Sequence, residues 1–175
     1  MAQIHRLQVE TEVKSSAAKF YNMVRNNMAE LTKAFPECYK SIEFVEGNGR
    51  TVGSVMLWKY VVVSPKVLTT KEKIEEIDDK RRSITYKVIE GEIMDIYRSF
   101  SMKIQVSEKD GGGSLVKWFV EFDKANEAVP SPNHFMNLLD MASKKLDAYL
   151  LSKHERTMEA TVVQIQSIMI LAMPV

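Results

Sequence analysis

The chain has 175 residues, with 24 Lys plus Arg against 23 Asp plus Glu and a formal net charge of +1. That length suits one domain with one sizeable core, and the balanced charge supplies no long-range attraction to nucleic acid or an anionic membrane. The single cysteine, Cys38, excludes an internal disulfide and a thiolate metal cage, in keeping with a reducing compartment.

The chain begins Met-Ala-Gln-Ile-His-Arg-Leu-Gln-Val-Glu, without the unbroken apolar run of a secretory signal, and reads as cytoplasmic. Over residues 3–13, Leu7, Val9, Thr11 and Val13 alternate with Arg6, Gln8, Glu10 and Glu12, which predicts a half-buried strand. Ser15 and Ser16 offer a helix cap, and Phe20, Met23, Val24, Met28 and Leu31 then follow helical spacing up to Phe35-Pro36. Two short helices are expected, bent near Asn26-Asn27.

From Tyr39 the period becomes two. Strands are predicted at Tyr39–Val45, Ser54–Val63, Val67–Ile77, Ser83–Ile89, Asp95–Ser107 and Ser114–Asp123. Turn chemistry separates them at Gly47-Asn48-Gly49, Ser64-Pro65, Asp78-Asp79, Glu90-Gly91 and Asp110-Gly111-Gly112-Gly113. After Pro130-Ser131-Pro132-Asn133, the residues Phe135, Leu139, Ala142, Leu146 and Tyr149 form one apolar stripe of a long helix. The order predicts an α+β fold: a seven-stranded curved antiparallel sheet around a long C-terminal helix, with two short helices after the first strand.

Several segments resemble the plant birch-pollen-allergen (Bet v I-like, START-like) superfamily, and within it the major latex proteins. Glu46-Gly47-Asn48-Gly49 with Val52-Gly53-Ser54-Val55 is similar to that family's glycine-rich loop, and Trp58-Lys59-Tyr60 to the centre of the following strand. Val88-Ile89-Glu90-Gly91-Glu92 with Asp95-Ile96-Tyr97 and Phe100 matches another segment of the same branch. So does the run from Val116-Lys117-Trp118 through Glu121-Phe122-Asp123 to Val129-Pro130-Ser131-Pro132. The resemblance covers residues 1–153 and implies a helix-grip fold, a large internal cavity, binding of small apolar plant metabolites, and links to defence or stress responses. Residues 154–175 form an apolar extension, with Ile168-Met169-Ile170-Leu171-Ala172-Met173 too short to span a membrane. A docked helical extension, a partner-binding segment and a non-native read-through all remain open for it.

In a grip fold, parity along each strand decides which side chains meet the lumen. Phe100, Met102 and Ile104 alternate with polar neighbours and set the inward frame. The same parity, with the family resemblance, puts Met56, Trp58, Tyr60, Thr69, Tyr86 and Trp118 on the concave side, and Arg98 at its rim facing a ligand carboxylate. The long helix adds Phe135, Leu139, Ala142 and Leu146, and the short helices add Met23, Met28 and Leu31. Eleven methionines suit a surface that repacks around different apolar ligands.

Other signals fail. The glycine-rich loop lacks the lysine that a phosphate-binding loop requires beside Gly53-Ser54. His5, His134 and His154 are scattered, so neither metal nor cofactor is expected. No basic stripe marks a nucleic-acid surface. The expected function is binding, storage or transport of a sterol, fatty acid or phenolic. The alternative is an acid/base enzyme, an isomerase or condensing enzyme, in the same cavity; it lacks an Asp, Glu or His in register with the lumen, and Lys71 is the one ionisable candidate besides the tyrosines.

Overall fold

The computed structural model describes residues 2–172; Met1 and residues 173–175, the outer ends of the two segments 1–153 and 154–175, lie outside the described residues. Seven strands form one antiparallel sheet in the order β1-β7-β6-β5-β4-β3-β2. They are β1 (Ile4–Val13), β2 (Tyr39–Glu46), β3 (Val55–Tyr60), β4 (Leu68–Asp78), β5 (Ser83–Gly91), β6 (Tyr97–Glu108) and β7 (Ser114–Lys124). From β2 to β7 each strand pairs with the next, and β1 closes the sheet against β7 with Val9 opposite Trp118. This is the expected α+β architecture, and its physical basis is the alternation of polar and apolar residues, which leaves one face of every strand to be covered.

Between β1 and β2 lie α1 (Ala17–Asn26), a 3₁₀ turn at Met28–Glu30 and α2 (Leu31–Ala34). Ser16 caps α1, its hydroxyl accepting from the Lys19 amide at 3.3 Å. Asn27 leaves the helical region with φ −137°, which makes the expected bend. Strand ends fall within one to three residues of the expected ones, and two of the shifts have a clear cause. β3 ends at Tyr60 rather than Val63, because the ladder to β4 closes at the Tyr60–Leu68 pair and the Val61 amide turns to the Cys38 carbonyl. β6 begins at Tyr97 rather than Asp95, because residues Glu92–Asp95 form a 3₁₀ turn. That turn starts at Gly91, whose φ of +133° and close approach to the Thr69 carbonyl leave no room for a Cβ.

The helix α3 (Asn133–Leu171) is 39 residues long, or about 58 Å at 1.5 Å per residue. Its first half lies across the concave face and buries Phe135, Met136, Leu138, Leu139, Ala142 and Leu146. Polar contacts lock that position. Thr11 of β1 donates to Asp140 at 2.6 Å, and the Trp118 indole on β7 donates to Ser143 at 3.0 Å. The Asp147 carboxylate accepts from the amides of both Lys14 and Ser15 at 3.0 Å, so one helical side chain holds the β1–α1 connection with two charge-assisted bonds. Tyr149, the last residue of the expected stripe, is half-buried and donates to Glu30 at 2.8 Å.

Beyond Leu151 every described residue of α3 is exposed. The helix therefore continues unbroken into the apolar extension, with Ile170 at 70% and Leu171 at 87% exposure, and a docked extension is excluded for the described part of it. No helix among the described residues is long and apolar enough to cross a membrane.

The clamp carries a stability prediction. Asp147→Ala leaves the buried Ser15 amide and the more exposed Lys14 amide without their acceptor and is expected to lower unfolding stability by about 2 kcal/mol. Chemical denaturation of the variant beside wild type measures the loss.

Candidate functional site

Cross-strand register builds a continuous inner wall. Met56 stands opposite Glu72, Trp58 opposite Thr70, Ile74 opposite Tyr86, Tyr86 opposite Met102 and Ile104 opposite Trp118. Directly paired residues share a face, so this row runs from β3 to β7 along the concavity. Tyr39, paired with Tyr60, extends it to β2. Phe20 and Val24 of α1, Met28, Leu31 of α2, and Phe135, Leu139, Ala142, Ser143 and Leu146 of α3 close the other side.

These side chains enclose a predominantly apolar pocket. The space open to the centre of a water-sized sphere is about 50 Å³, room for a few waters and far less than the large cavity that the family resemblance implies. Rings take up much of the interior. Tyr39 meets Trp58 edge-on with centroids 5.5 Å apart, and Tyr60 meets Phe135 edge-on at 6.3 Å.

Most of the residues expected to face the lumen do line this pocket: Met28, Leu31, Met56, Trp58, Tyr60 and Tyr86, then Met102, Ile104, Trp118, Phe135, Leu139, Ala142 and Leu146. Four do not. Met23 is buried in the core beside the lining residues Phe20 and Val24. Phe100 packs under the end of the pocket, its ring 5.1 Å from that of Phe135. Thr69 lies on the opposite face from Thr70 and binds the Glu92 carboxylate through its amide at 2.8 Å and its hydroxyl at 3.1 Å. Arg98 is turned out by a bulge between Tyr97 and Ser99, and donates to the Ala125 carbonyl at 2.6 Å. Lys71 also faces outward, paired with Glu90 at 3.0 Å.

The pocket holds an acidic group that parity missed. Glu72, flanked in sequence by Lys71 and Lys73, reads as part of a solvated charge run, yet it lies between the buried Thr70 and Ile74 on the inward face. The residue is half-buried and its side chain lines the pocket. The Thr70 hydroxyl is 3.5 Å from its carboxylate, a marginal hydrogen bond, and no Lys, Arg or His lines the pocket. Burial pushes its pKa from the ordinary 4.5 up to about 7, against weaker opposing contributions from Thr70 and Trp58. Burial, then the negative field of Glu72, raises the pKa values of Tyr39, Tyr60 and Tyr86, so all three phenols are neutral near pH 7. The expectation that no Asp or Glu stands in register with the lumen is therefore overturned. The site combines an apolar wall with one titratable carboxyl and the polar side chains of Thr70, Ser143 and three tyrosines. Among the described residues no cluster of three or more His, Cys, Asp or Glu is arranged for a metal ion.

Comparison with known proteins places this architecture. Residues 2–153 match the model of the pathogenesis-related protein Bet v 1 family. MLP-like protein 43 of Arabidopsis thaliana is 36% identical over 86% of this chain and 95% of its own length. MLP-like protein 34 of the same plant is 39% identical over 84% of this chain, which spans 46% of that longer relative. The crystal structure of major latex-like protein 151 from Panax ginseng superimposes with a TM-score of 0.80 at 26% identity, over 85% of this chain and 98% of that one.

The raised pKa of Glu72 fixes the sign of a pH effect. The folded protein keeps the proton up to about pH 7 while the unfolded chain releases it near 4.5, so this group's contribution to stability is present below pH 4.5 and is lost as the pH rises through 7. Glu72→Gln is expected to match wild type at pH 4 and, allowing for partial exposure of the carboxyl, to exceed it by about 2 kcal/mol at pH 8. Urea unfolding at the two pH values checks it.

Proposed function

This chain belongs to the pathogenesis-related protein Bet v 1 family, and from that membership we propose that it binds and carries a small hydrophobic plant metabolite in the pocket between sheet and α3. The observation that carries the reading is the pocket itself: a concavity walled by aromatic rings, aliphatic side chains and three methionines, with a few polar groups to orient a guest. A sterol, fatty acid or phenolic needs far more than 50 Å³, so binding proceeds by side-chain displacement. Met28, Met56 and Met102 are the parts suited to that, since an unbranched thioether changes rotamer at little cost. A link to defence or stress response follows from the family alone.

Glu72 favours a second reading, an acid/base enzyme in the same pocket. A carboxyl with a pKa of about 7 is populated in both protonation states at neutral pH and so can donate or accept a proton beside a bound substrate. The carrier reading stands first because a lone acid, without a partner base or a defined electrophile site, sets no reaction.

The test is a titration with the neutral apolar fluorophore N-phenyl-1-naphthylamine, followed by competition with sterols, fatty acids and phenolics. Wild type is expected to bind one equivalent saturably. Met102→Trp, which plugs the middle of the β5–β6 wall, is expected to weaken binding about tenfold or more while leaving the circular dichroism spectrum intact. Absence of saturable binding by wild type overturns the reading.

A further inference from the structure

We propose that this pocket selects apolar molecules carrying a protonated amine, with the Glu72 carboxylate as counter-charge and the rings of Tyr39, Trp58, Tyr60 and Tyr86 as the surrounding wall. The inference rests on the carrier reading and narrows it to a chemical class. A carboxylate buried without a cationic partner is costly, and a protein avoids that cost by protonating it or by supplying a positive charge. This pocket holds no Lys, Arg or His among its lining residues, so the positive charge has to arrive with the guest. The wall suits it. Aromatic faces attract a cation within about 6 Å of the ring centre, and the four rings, on β2, β3 and β5, line the same pocket as the acid, with apolar side chains of α1, α2 and α3 on its other side.

The titratable groups facing Glu72 are the phenols of Tyr39 on β2, Tyr60 on β3 and Tyr86 on β5, all neutral throughout the relevant range. The lining residues of β6, β7 and the three helices carry no charge. Glu72 is therefore the one pocket group whose ionisation changes between pH 5 and 8. An ammonium guest binds to its ionised form and expels its proton to solvent. A neutral alcohol meets either form with no ion pair to gain, and a carboxylate guest meets like charge above pH 7.

Calorimetric titration of the full chain with hexylammonium, 1-hexanol and hexanoate tests this, since the amine stays protonated across the range. Hexylammonium is expected to bind about tenfold or more tighter at pH 8 than at pH 5.5, and to release close to one proton at pH 6 when two buffers of different ionisation heat are compared. The affinity for 1-hexanol should change less than about threefold over the same range, and hexanoate should bind weakest at pH 8. Glu72→Gln is expected to abolish the pH dependence and bring hexylammonium down to the 1-hexanol level. If that variant does not fold, the wild-type pH profile and proton count decide alone. Equal, pH-independent binding of amine and alcohol overturns the amine preference and leaves the carrier intact. Failure of all three to bind removes the carrier reading and this inference with it.

Discussion

The fold depends on how α3 is held against the sheet. Along its first half, Leu139, Ala142 and Leu146 point to the pocket, and the residues next in sequence, Asp140, Ser143 and Asp147, bond to β1, to β7 and to the β1–α1 connection. The two rows share the spacing i, i+3, i+7 and lie side by side on the helix surface. The polar row fixes the height and rotation of the helix, and so fixes which side chains the apolar row presents to the concavity. Had α3 packed by apolar contact alone, it could settle deeper and fill the remaining space.

A pocket made this way has an electrostatic character set by one residue. Glu72 replaces what would be an apolar contact on β4 and introduces a carboxyl where desolvation works against its charge. Such an arrangement trades stability at neutral pH for a chemically distinct spot inside an otherwise apolar wall, the kind of trade found where a site serves binding or proton transfer. The small free volume fits the same picture. Without a guest, rings and thioethers fill the concavity, and the energetic question for any ligand is how cheaply Met28, Met56 and Met102 move aside.

Much of this was legible beforehand. Period-two alternation with turns rich in glycine, proline or aspartate marked out the strands, because half-buried strands must alternate, and the cap at Ser16 located α1. The pocket wall followed from parity wherever a strand is regular, as along Met102 and Ile104. Parity failed where the ladder is not regular. The β4–β5 ladder carries an extra residue at Ile89 of β5, beside Lys71 and Glu72, and another at Glu75 of β4, and the β6–β7 ladder carries one at Arg98 of β6. The extra Glu75 moves Ile77 onto the face of Ile74, so Ile77 misleads the inward assignment of the equally odd-numbered Thr69, and the extra Arg98 is turned away from the face that Phe100 occupies. Glu72 was hidden because its neighbours Lys71 and Lys73 make the segment look solvated. The signal that reveals it is the pairing of Met56 with Glu72, which requires the length of the β3–β4 connection and so needs the fold. The course of α3 past residue 153, beyond the segment that matches the family, likewise has no counterpart in the pattern that predicted the rest of the helix.

If an apolar guest enters the interior by displacing pocket methionines, methyl NMR of protein labelled with ¹³C-methyl methionine observes those groups directly. On adding saturating hexylammonium, large shifts are expected for Met28, Met56 and Met102, with unchanged signals for Met158 and Met169 on the exposed part of α3. Shifts confined to Met158 and Met169, or no shifts anywhere, would contradict that displacement.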